Sequence, residues 1–384
     1  MNYNDDDQLI KATSIRLPPM PARSGAKADA VCLRGEFSCR WPLVATSSRF
    51  AGTACVTHSA MSAEVQGPTR MDDTTASQTL ICPGCGCSHW HDRGRIPPAS
   101  EFAGQPLAEP MAGGRLLECK ACALNWRSLI RPAAFYDDLY ARARGSVWQT
   151  AKSRPDHELI VEKLQLHLKA GDVLDIGCGA GSLLARLPRQ FGRYGVEIGR
   201  EARAIAATHG IQIIGTDFAD LDGVPRSFDA IVACDVIEHC ANPRQFTEAV
   251  MRKLKPGGLF VLSTGDASAW LWRLCGSRFW YCQLAEHLSF VSPRWLAGQR
   301  GAGAELVDLR RFVYGSAGAF ARLKLALLLV WYLISPGAFC RWLARRRGLP
   351  TNVGFHPNPP GQGLTRDHLV AVLRRAPDGD REVA

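Results

Sequence analysis

The chain has 384 residues, 46% of them hydrophobic, which suffices for one large domain plus a small one and excludes a chain without a core. The formal net charge is +10, so an anionic partner (nucleic acid, anionic lipid or a phosphorylated substrate) and a merely basic surface both stay open. The 14 cysteines, scattered apart from two C-x-x-C pairs, argue for free thiols in a reducing cytosol and against a disulfide framework.

Residues 1–78 show little periodicity; Ser, Thr, Ala, Pro, Gly and Arg dominate. They are expected to be a disordered extension, or else non-native sequence preceding a true start at Met61 or Met71. Asp5, Asp6 and Asp7 stand where a secretory signal would be apolar, so a cytoplasmic protein is expected. Residues 79–131 hold both C-x-x-C pairs, Cys82–Cys85 and Cys119–Cys122. Two such turns supply four thiolates for a tetrahedral structural zinc, with free thiols as the alternative. Pro83 and Gly84 suit a knuckle whose amides face the sulfurs, and Cys87 is a spare. This segment is expected to be a small zinc ribbon. Zinc ribbons also bind nucleic acid, but residues 86–118 are not strongly basic.

A polar and aromatic connector runs from Pro132 to about Asp156, with Tyr136, Tyr140 and Trp148. Ile160, Val161, Leu164 and Leu168 then fall at helical spacing, predicting a helix from His157 to Leu168. From Asp172 strands alternate with helices. The strand candidates are 172–176, 193–197, 211–214, 229–235, 259–264, 305–313 and 368–373. That alternation implies an α/β fold, a doubly wound, mostly parallel sheet of seven strands spanning residues 132–384.

Leu325 to Cys340 carries no charge, with Arg322, Lys324, Arg341 and Arg345–Arg347 around it. Sixteen residues with Pro336-Gly337 inside are short for a membrane span, which needs about 20. Three readings compete: a buried helix of an inserted cap, an interfacial helix whose basic rim, residues 322–347, meets anionic lipid, and a true span.

The run Val173-Leu174-Asp175-Ile176-Gly177-Cys178-Gly179-Ala180-Gly181 is a hydrophobic strand entering a glycine-rich turn. Glycines there let a cofactor approach the backbone closely. A helix is expected from Ser182, its N-cap. Ser182 also breaks the dinucleotide fingerprint, which requires a glycine at that position. Glu197, at the end of the next strand, can accept hydrogen bonds from both hydroxyls of a ribose.

The D-x-G-x-G-x-G pattern resembles the first motif of class I S-adenosylmethionine-dependent methyltransferases, whose fold is Rossmann-like. The resemblance covers roughly Asp156 to Leu373 and is nearest to ubiquinone-biosynthesis O-methyltransferases and methyltransferases of polysaccharide clusters. It implies that Asp175, Gly177, Gly179, Gly181, Glu197, Asp217, Phe218 and Asp235 bind the cofactor. Asp217 would meet the adenine amino group, and Phe218 would pack on the ring. Phe228–His239 looks like the family's fourth-strand motif, and Leu254–Leu259 its turn into the fifth. The final strand would be antiparallel, which makes 315–365 an insertion before it.

Transfer to oxygen also needs a proton removed, and the candidate bases are His239 and His287. In ubiquinone-type relatives a cluster similar to Asp235, Glu238 and His239 is associated with a divalent cation. Here the first residue is Asp, and a role in lining the cofactor pocket is the alternative. No [D/N]-P-P-[Y/F] follows the fourth strand, and Asn358-Pro359-Pro360-Gly361 reads as a loop. The expected function is methyl transfer to an oxygen or carbon of a small-molecule, sugar or lipid-linked glycan acceptor. The rivals are an RNA methyltransferase that uses the ribbon for recognition, and a non-catalytic S-adenosylmethionine-binding scaffold.

Overall fold

The computed structural model describes residues 80–142, 154–315, 318–346, 359–361 and 363–377. The expectations for 1–78, for Trp148 and for Arg347, and parts of 315–365, lie outside them.

An amino-terminal module contains β1 (Trp90–Arg95), β2 (Ala99–Phe102), β3 (Gln105–Met111), β4 (Arg115–Cys119) and β5 (Asn125–Arg127). A helix, α1 (Ala133–Arg142), follows within the connector. The larger part runs α2 (Pro155–His167), β6 (Gly171–Ile176), β7 (Phe191–Val196), α3 (Arg200–Thr208), β8 (Gln212–Gly215) and β9 (Phe228–Cys234). It continues through α4 (Pro243–Lys253), β10 (Leu254–Gly265), α5 (Trp270–Cys275), α6 (Trp280–Gln283), β11 (Ser289–Phe290), α7 (Pro293–Ala297) and β12 (Ala304–Phe312). Two helices, α8 (Ala319–Ile334) and α9 (Pro336–Arg346), precede β13 (His368–Arg375).

The main sheet has seven strands in the order β12-β13-β10-β9-β6-β7-β8. The pairs β6–β7, β6–β9, β7–β8 and β9–β10 are parallel; β13 runs antiparallel to β10 and β12. The strand order reverses at β6, so the carboxyl ends of β6 and β9 open a crevice there. Helices cover both faces, and the strands alternate between two cores. Leu174, Ile176, Ile231, Ala233, Phe260 and Leu262 face one side with Phe246, Val250 and Trp295. Val173, Ala230, Val232, Val261 and Val370 face the other with Ile160, Leu164 and Ala206. Burial on both faces is why these strands read as unbroken apolar runs.

One sequence expectation needs correction. The helix expected from Ser182 is a single 3₁₀ turn, Leu184–Arg186, and Ser182 is not its cap. Pro188 sets the limit: it disfavours helical backbone at Leu187, which leaves too few residues after Gly181 for a regular helix. The amino-terminal module shares its sheet with the larger part. Its sheet has the order β1-β4-β5-β11, and β11 comes from the segment after β10. Gly84 sits where a Cβ would lie 2.4 Å from Trp295 Nε1, so the knuckle packs directly on α7.

Between β12 and β13 lie α8 and α9, broken at Ser335–Pro336. Among the described residues no helix is long and apolar enough to cross a membrane. Leu329, Tyr332, Phe339 and Ala344 are buried, whereas Phe320, Leu323, Leu327, Val330 and Ile334 are exposed.

Candidate functional site

The glycine turn leaves β6 with Gly177, Gly179 and Gly181 at φ of 74°, 52° and 79°. Only residues without a Cβ adopt such backbone freely. At Gly181 an added Cβ would also lie 2.0 Å from Ile211 Cδ1. The turn is pinned to β7: Gly177 and Cys178 amides donate to the Val196 carbonyl at 2.9 and 3.1 Å. Glu197 closes it from the far side, accepting from Gly179 N at 2.8 Å and Gly199 N at 2.6 Å.

Three carboxylates converge on this end of the sheet. Asp175 ends β6, Asp217 follows β8 and Asp235 follows β9. Each has one buried oxygen without a hydrogen-bond partner: Asp175 Oδ1, Asp217 Oδ2 and Asp235 Oδ1. Burial and the charge of Glu197 push Asp175 up to about 8. Burial likewise pushes Asp217 up to about 6. Asp235 is held in the left-handed region, at φ 51°. Orphaned buried acceptors beside a glycine turn suit a ligand rich in hydrogen-bond donors and positive charge, and S-adenosylmethionine is one. Phe218 is nearby, its ring 5.0 Å from Phe246.

No local sign in the sequence marks the group that holds Asp235. Arg154 Nη2 donates to Asp235 Oδ2 at 2.5 Å and to Asp156 Oδ2 at 2.6 Å, and Arg154 Nε donates to Asp156 Oδ1 at 3.0 Å. Asp156 is fully buried and also accepts from the Ser263 hydroxyl at 3.0 Å. Burial opposes its charge, but the Arg154 guanidinium holds its carboxyl below the usual range. The Tyr314 hydroxyl lies 3.2 Å from Asp156 Oδ2 and 3.3 Å from Asp235 Oδ2.

This arrangement separates Asp235 from Glu238 and His239. The side chains that share a centre are Glu238, His239 and His287, with ligand atoms within 4.8 Å of one another. Asp235 is turned instead to Arg154 and Tyr314, so the trio expected for a divalent cation is not assembled. Glu238 is fully buried and accepts from the hydroxyls of Tyr281 and Thr264. Burial and the charge of Asp235 push it up to about 8.

His239 Nδ1 lies 2.9 Å from the Tyr140 hydroxyl and 3.1 Å from the Glu286 carbonyl. A proton on Nδ1 satisfies that carbonyl and leaves Nε2 with a free lone pair. Burial lowers the affinity of His239 for a second proton. His287 is buried behind it, ring centroids 4.9 Å apart, with Nδ1 3.1 Å from the Tyr281 carbonyl. Burial holds its pKa well below the ordinary imidazole value.

A cavity of about 390 Å³ opens beside His239. Tyr136 and Tyr140 of α1, Phe218, Phe246 of α4, Glu286 and Leu288 line it. His287 is not among its lining residues. The helix α1, inside the segment expected to be a connector, thus forms one wall.

The cysteine cluster lies at the module's edge. Cys82 Sγ is 3.6 Å from Cys122 Sγ, and Cys85 Sγ is 3.5 Å from Cys119 Sγ. All four sulfurs lie within 4.8 Å of one another. The Gly84 amide donates to Cys82 Sγ at 3.4 Å, and the Cys122 amide to Cys119 Sγ at 3.5 Å. Cys87 stands apart and accepts from the His89 amide at 3.3 Å.

Residues 148–307 match the family described as Methyltransferase domain. The ubiquinone biosynthesis O-methyltransferase of Paraburkholderia phymatum is 28% identical over 186 residues, which is 43% of this chain and 79% of that protein. The one from Ralstonia nicotianae is 29% identical over 157 residues, covering 37% and 66%. Among solved structures, the N-methyltransferase NodS of Bradyrhizobium japonicum in complex with S-adenosyl-L-homocysteine is 16% identical. It covers 62% of this chain and 97% of its own, with a TM-score of 0.39. The 1,6-didemethyltoxoflavin-N1-methyltransferase of Burkholderia thailandensis is 16% identical over 67% and 98%, with a TM-score of 0.42.

Proposed function

Because this chain is a class I S-adenosylmethionine-dependent methyltransferase, we propose that it methylates a hydroxyl oxygen of a small, largely apolar acceptor, with His239 as the base. The observation that carries this is the aromatic cavity with His239 and Glu286 in its wall, which Phe218 also lines. The relatives named as O-methyltransferases support oxygen over carbon.

Asp175, Gly177, Gly179, Gly181, Glu197, Asp217, Phe218 and Asp235 would hold the cofactor. Glu197 takes the ribose, Asp217 the adenine edge with Phe218 against the ring, and Asp175 and Asp235 the positively charged end. When bound, the cofactor supplies a methyl group on a cationic sulfur, so alignment and exclusion of water account for most of the acceleration. The Glu286 carbonyl and the Tyr140 hydroxyl hold His239 Nδ1, which would leave Nε2 to take the acceptor proton. His239 then removes the acceptor proton while His287 supports its ring from behind.

Two outcomes follow. His239→Gln should lower kcat by roughly 10²–10⁴-fold while leaving cofactor affinity in place. A base works only when unprotonated, and burial lowers the pKa of His239. The acid limb of kcat/KM against pH should therefore fall below about 6.5. An acid limb above that value, or full turnover in the variant, would remove His239 from the mechanism.

The four cysteines, Cys82, Cys85, Cys119 and Cys122, form a closed set suited to structural zinc. The exposed face of α8 favours an acceptor met at a membrane surface, a lipid-linked glycan among the candidates. Phe320, Leu323, Leu327, Val330 and Ile334 are exposed together. Residues 318–346 carry Arg322, Lys324, Arg341, Arg345 and Arg346 and no carboxylate, a pairing that suits anionic headgroups. Sedimentation with phosphatidylglycerol vesicles should show binding that salt weakens. Replacing Phe320, Leu323 and Leu327 by serine should reduce it about tenfold or more, at about 0.8 kcal/mol per methylene withdrawn from lipid. Equal binding by neutral vesicles and by the triple variant would refute the contact.

A further inference from the structure

Arg127 is buried, at 3% exposure, and it ends β5, five residues after Cys122. Its guanidinium donates to four main-chain carbonyls: Nε to His287 at 2.5 Å, Nη2 to Leu284 at 2.6 Å and Cys282 at 2.8 Å, and Nη1 to Gly113 at 3.3 Å. Among the described residues no carboxylate pairs with it. A buried charge without a counter-ion is expensive, and burial accordingly lowers its pKa. A hydrophobic residue would fill the space more cheaply, so the fork of fixed donors is what the position uses.

Three of the four carbonyls belong to one loop, 282–288, which carries Glu286 and His287. The same loop meets the base: Glu286 carbonyl to His239 Nδ1 at 3.1 Å, and Leu288 N to Glu238 O at 2.7 Å. The backbone joins in, with Arg127 N donating to Leu288 O at 3.0 Å and β5 pairing with β11 at Trp126↔Ser289. On its other side β5 pairs with β4, which ends at Cys119. The cysteine cluster, β5 and the loop behind His239 therefore form one continuous frame.

We propose that Arg127 is a positioning residue that ties the acceptor-side loop 282–288 to the four-cysteine cluster, so that the state of the cluster sets the placement of the Glu286 carbonyl and hence of His239. The cofactor turn is outside this frame, since it is pinned by β7 and Glu197. The link to the cluster rests on the zinc reading above; the role of Arg127 toward the loop does not.

Hydrogen–deuterium exchange on the full chain tests it. In Arg127→Lys and Arg127→Met, amides of 282–288 should exchange about tenfold faster or more while those of Val173–Ile176 stay protected. S-adenosylhomocysteine affinity by calorimetry should remain within about twofold of wild type. Stripping wild-type protein with a chelator should speed exchange in the same loop, restored by one equivalent of Zn²⁺, whereas in Arg127→Met it should add nothing further. Loop exchange unchanged in the variants, loss of cofactor binding in parallel, or unfolding of both variants would overturn the positioning role. If the protein takes up no zinc, only the link to the cluster falls, and the variants still decide the role of Arg127.

Discussion

Replacing Glu197 by alanine should weaken S-adenosylhomocysteine binding about a hundredfold, or close to 3 kcal/mol. The magnitude follows from what the carboxylate does twice. Toward the ligand, on the proposed role, it would offer two oxygens to two ribose hydroxyls, and hydrogen bonds to a charged group contribute about 1.5–3 kcal/mol each. Toward the chain it fixes the turn, accepting from Gly179 N at 2.8 Å and Gly199 N at 2.6 Å. Alanine leaves both amides to water and frees Gly179, whose positive φ no Cβ constrains. Glu197→Gln keeps one acceptor oxygen and the shape, so its loss should be about tenfold. Neither change enters the hydrophobic core, and the midpoint of thermal unfolding without ligand should move little. Calorimetric titration checks the pair; affinity within about threefold of wild type in Glu197→Ala would place the ribose elsewhere.

Residues that act locally were legible in the sequence, and residues that act across the fold were not. Val173–Ile176 and Ala230–Ala233 announce buried parallel strands because both faces of each are covered, so apolar residues dominate them with Asp175 the one polar exception. Gly177, Gly179 and Gly181 mark their turn because each has a positive φ. Arg154 and Arg127 left no such mark. Arg154 meets Asp235 across 81 positions and Arg127 meets His287 across 160, and no spacing rule connects residues so far apart. Adjacency in sequence also misled. Asp235, Glu238 and His239 look like one cluster when read as letters. The left-handed backbone at Asp235 sends its carboxylate to Arg154 and leaves the other two with His287. The strand that completes the module's sheet, Ser289–Phe290, left no mark either: it is only two residues long and carries no periodicity to detect.

The purified chain should contain one zinc per molecule, and Cys122→Ser should lose both the metal and a large part of the stability. Two sulfur pairs are spaced in a way that suits zinc. Four thiolates at about 2.3 Å from a tetrahedral ion lie about 3.8 Å apart, against 3.5 and 3.6 Å for the two recorded pairs. Without an ion the cluster titrates unevenly: Cys122 and neighbouring amides pull Cys82 down to about 6, while Cys119 and Cys122 are pushed up. A divalent ion removes that conflict by stabilising all four as thiolates. In isolated zinc fingers the metal contributes about 10–16 kcal/mol. Here the module is also anchored through Leu124, Trp126 and Trp295 in the main core, so metal loss should melt the edge and not the whole chain. A fall of about 10 °C or more in the unfolding midpoint is expected, given roughly 2–4 °C per kcal/mol for domains of this size. Cys87→Ser, which alters a thiol outside the set, should retain zinc and midpoint. Elemental analysis beside calorimetry separates the cases: less than about half a zinc per chain in wild type, with Cys122→Ser as stable as its parent, would make these four residues ordinary thiols.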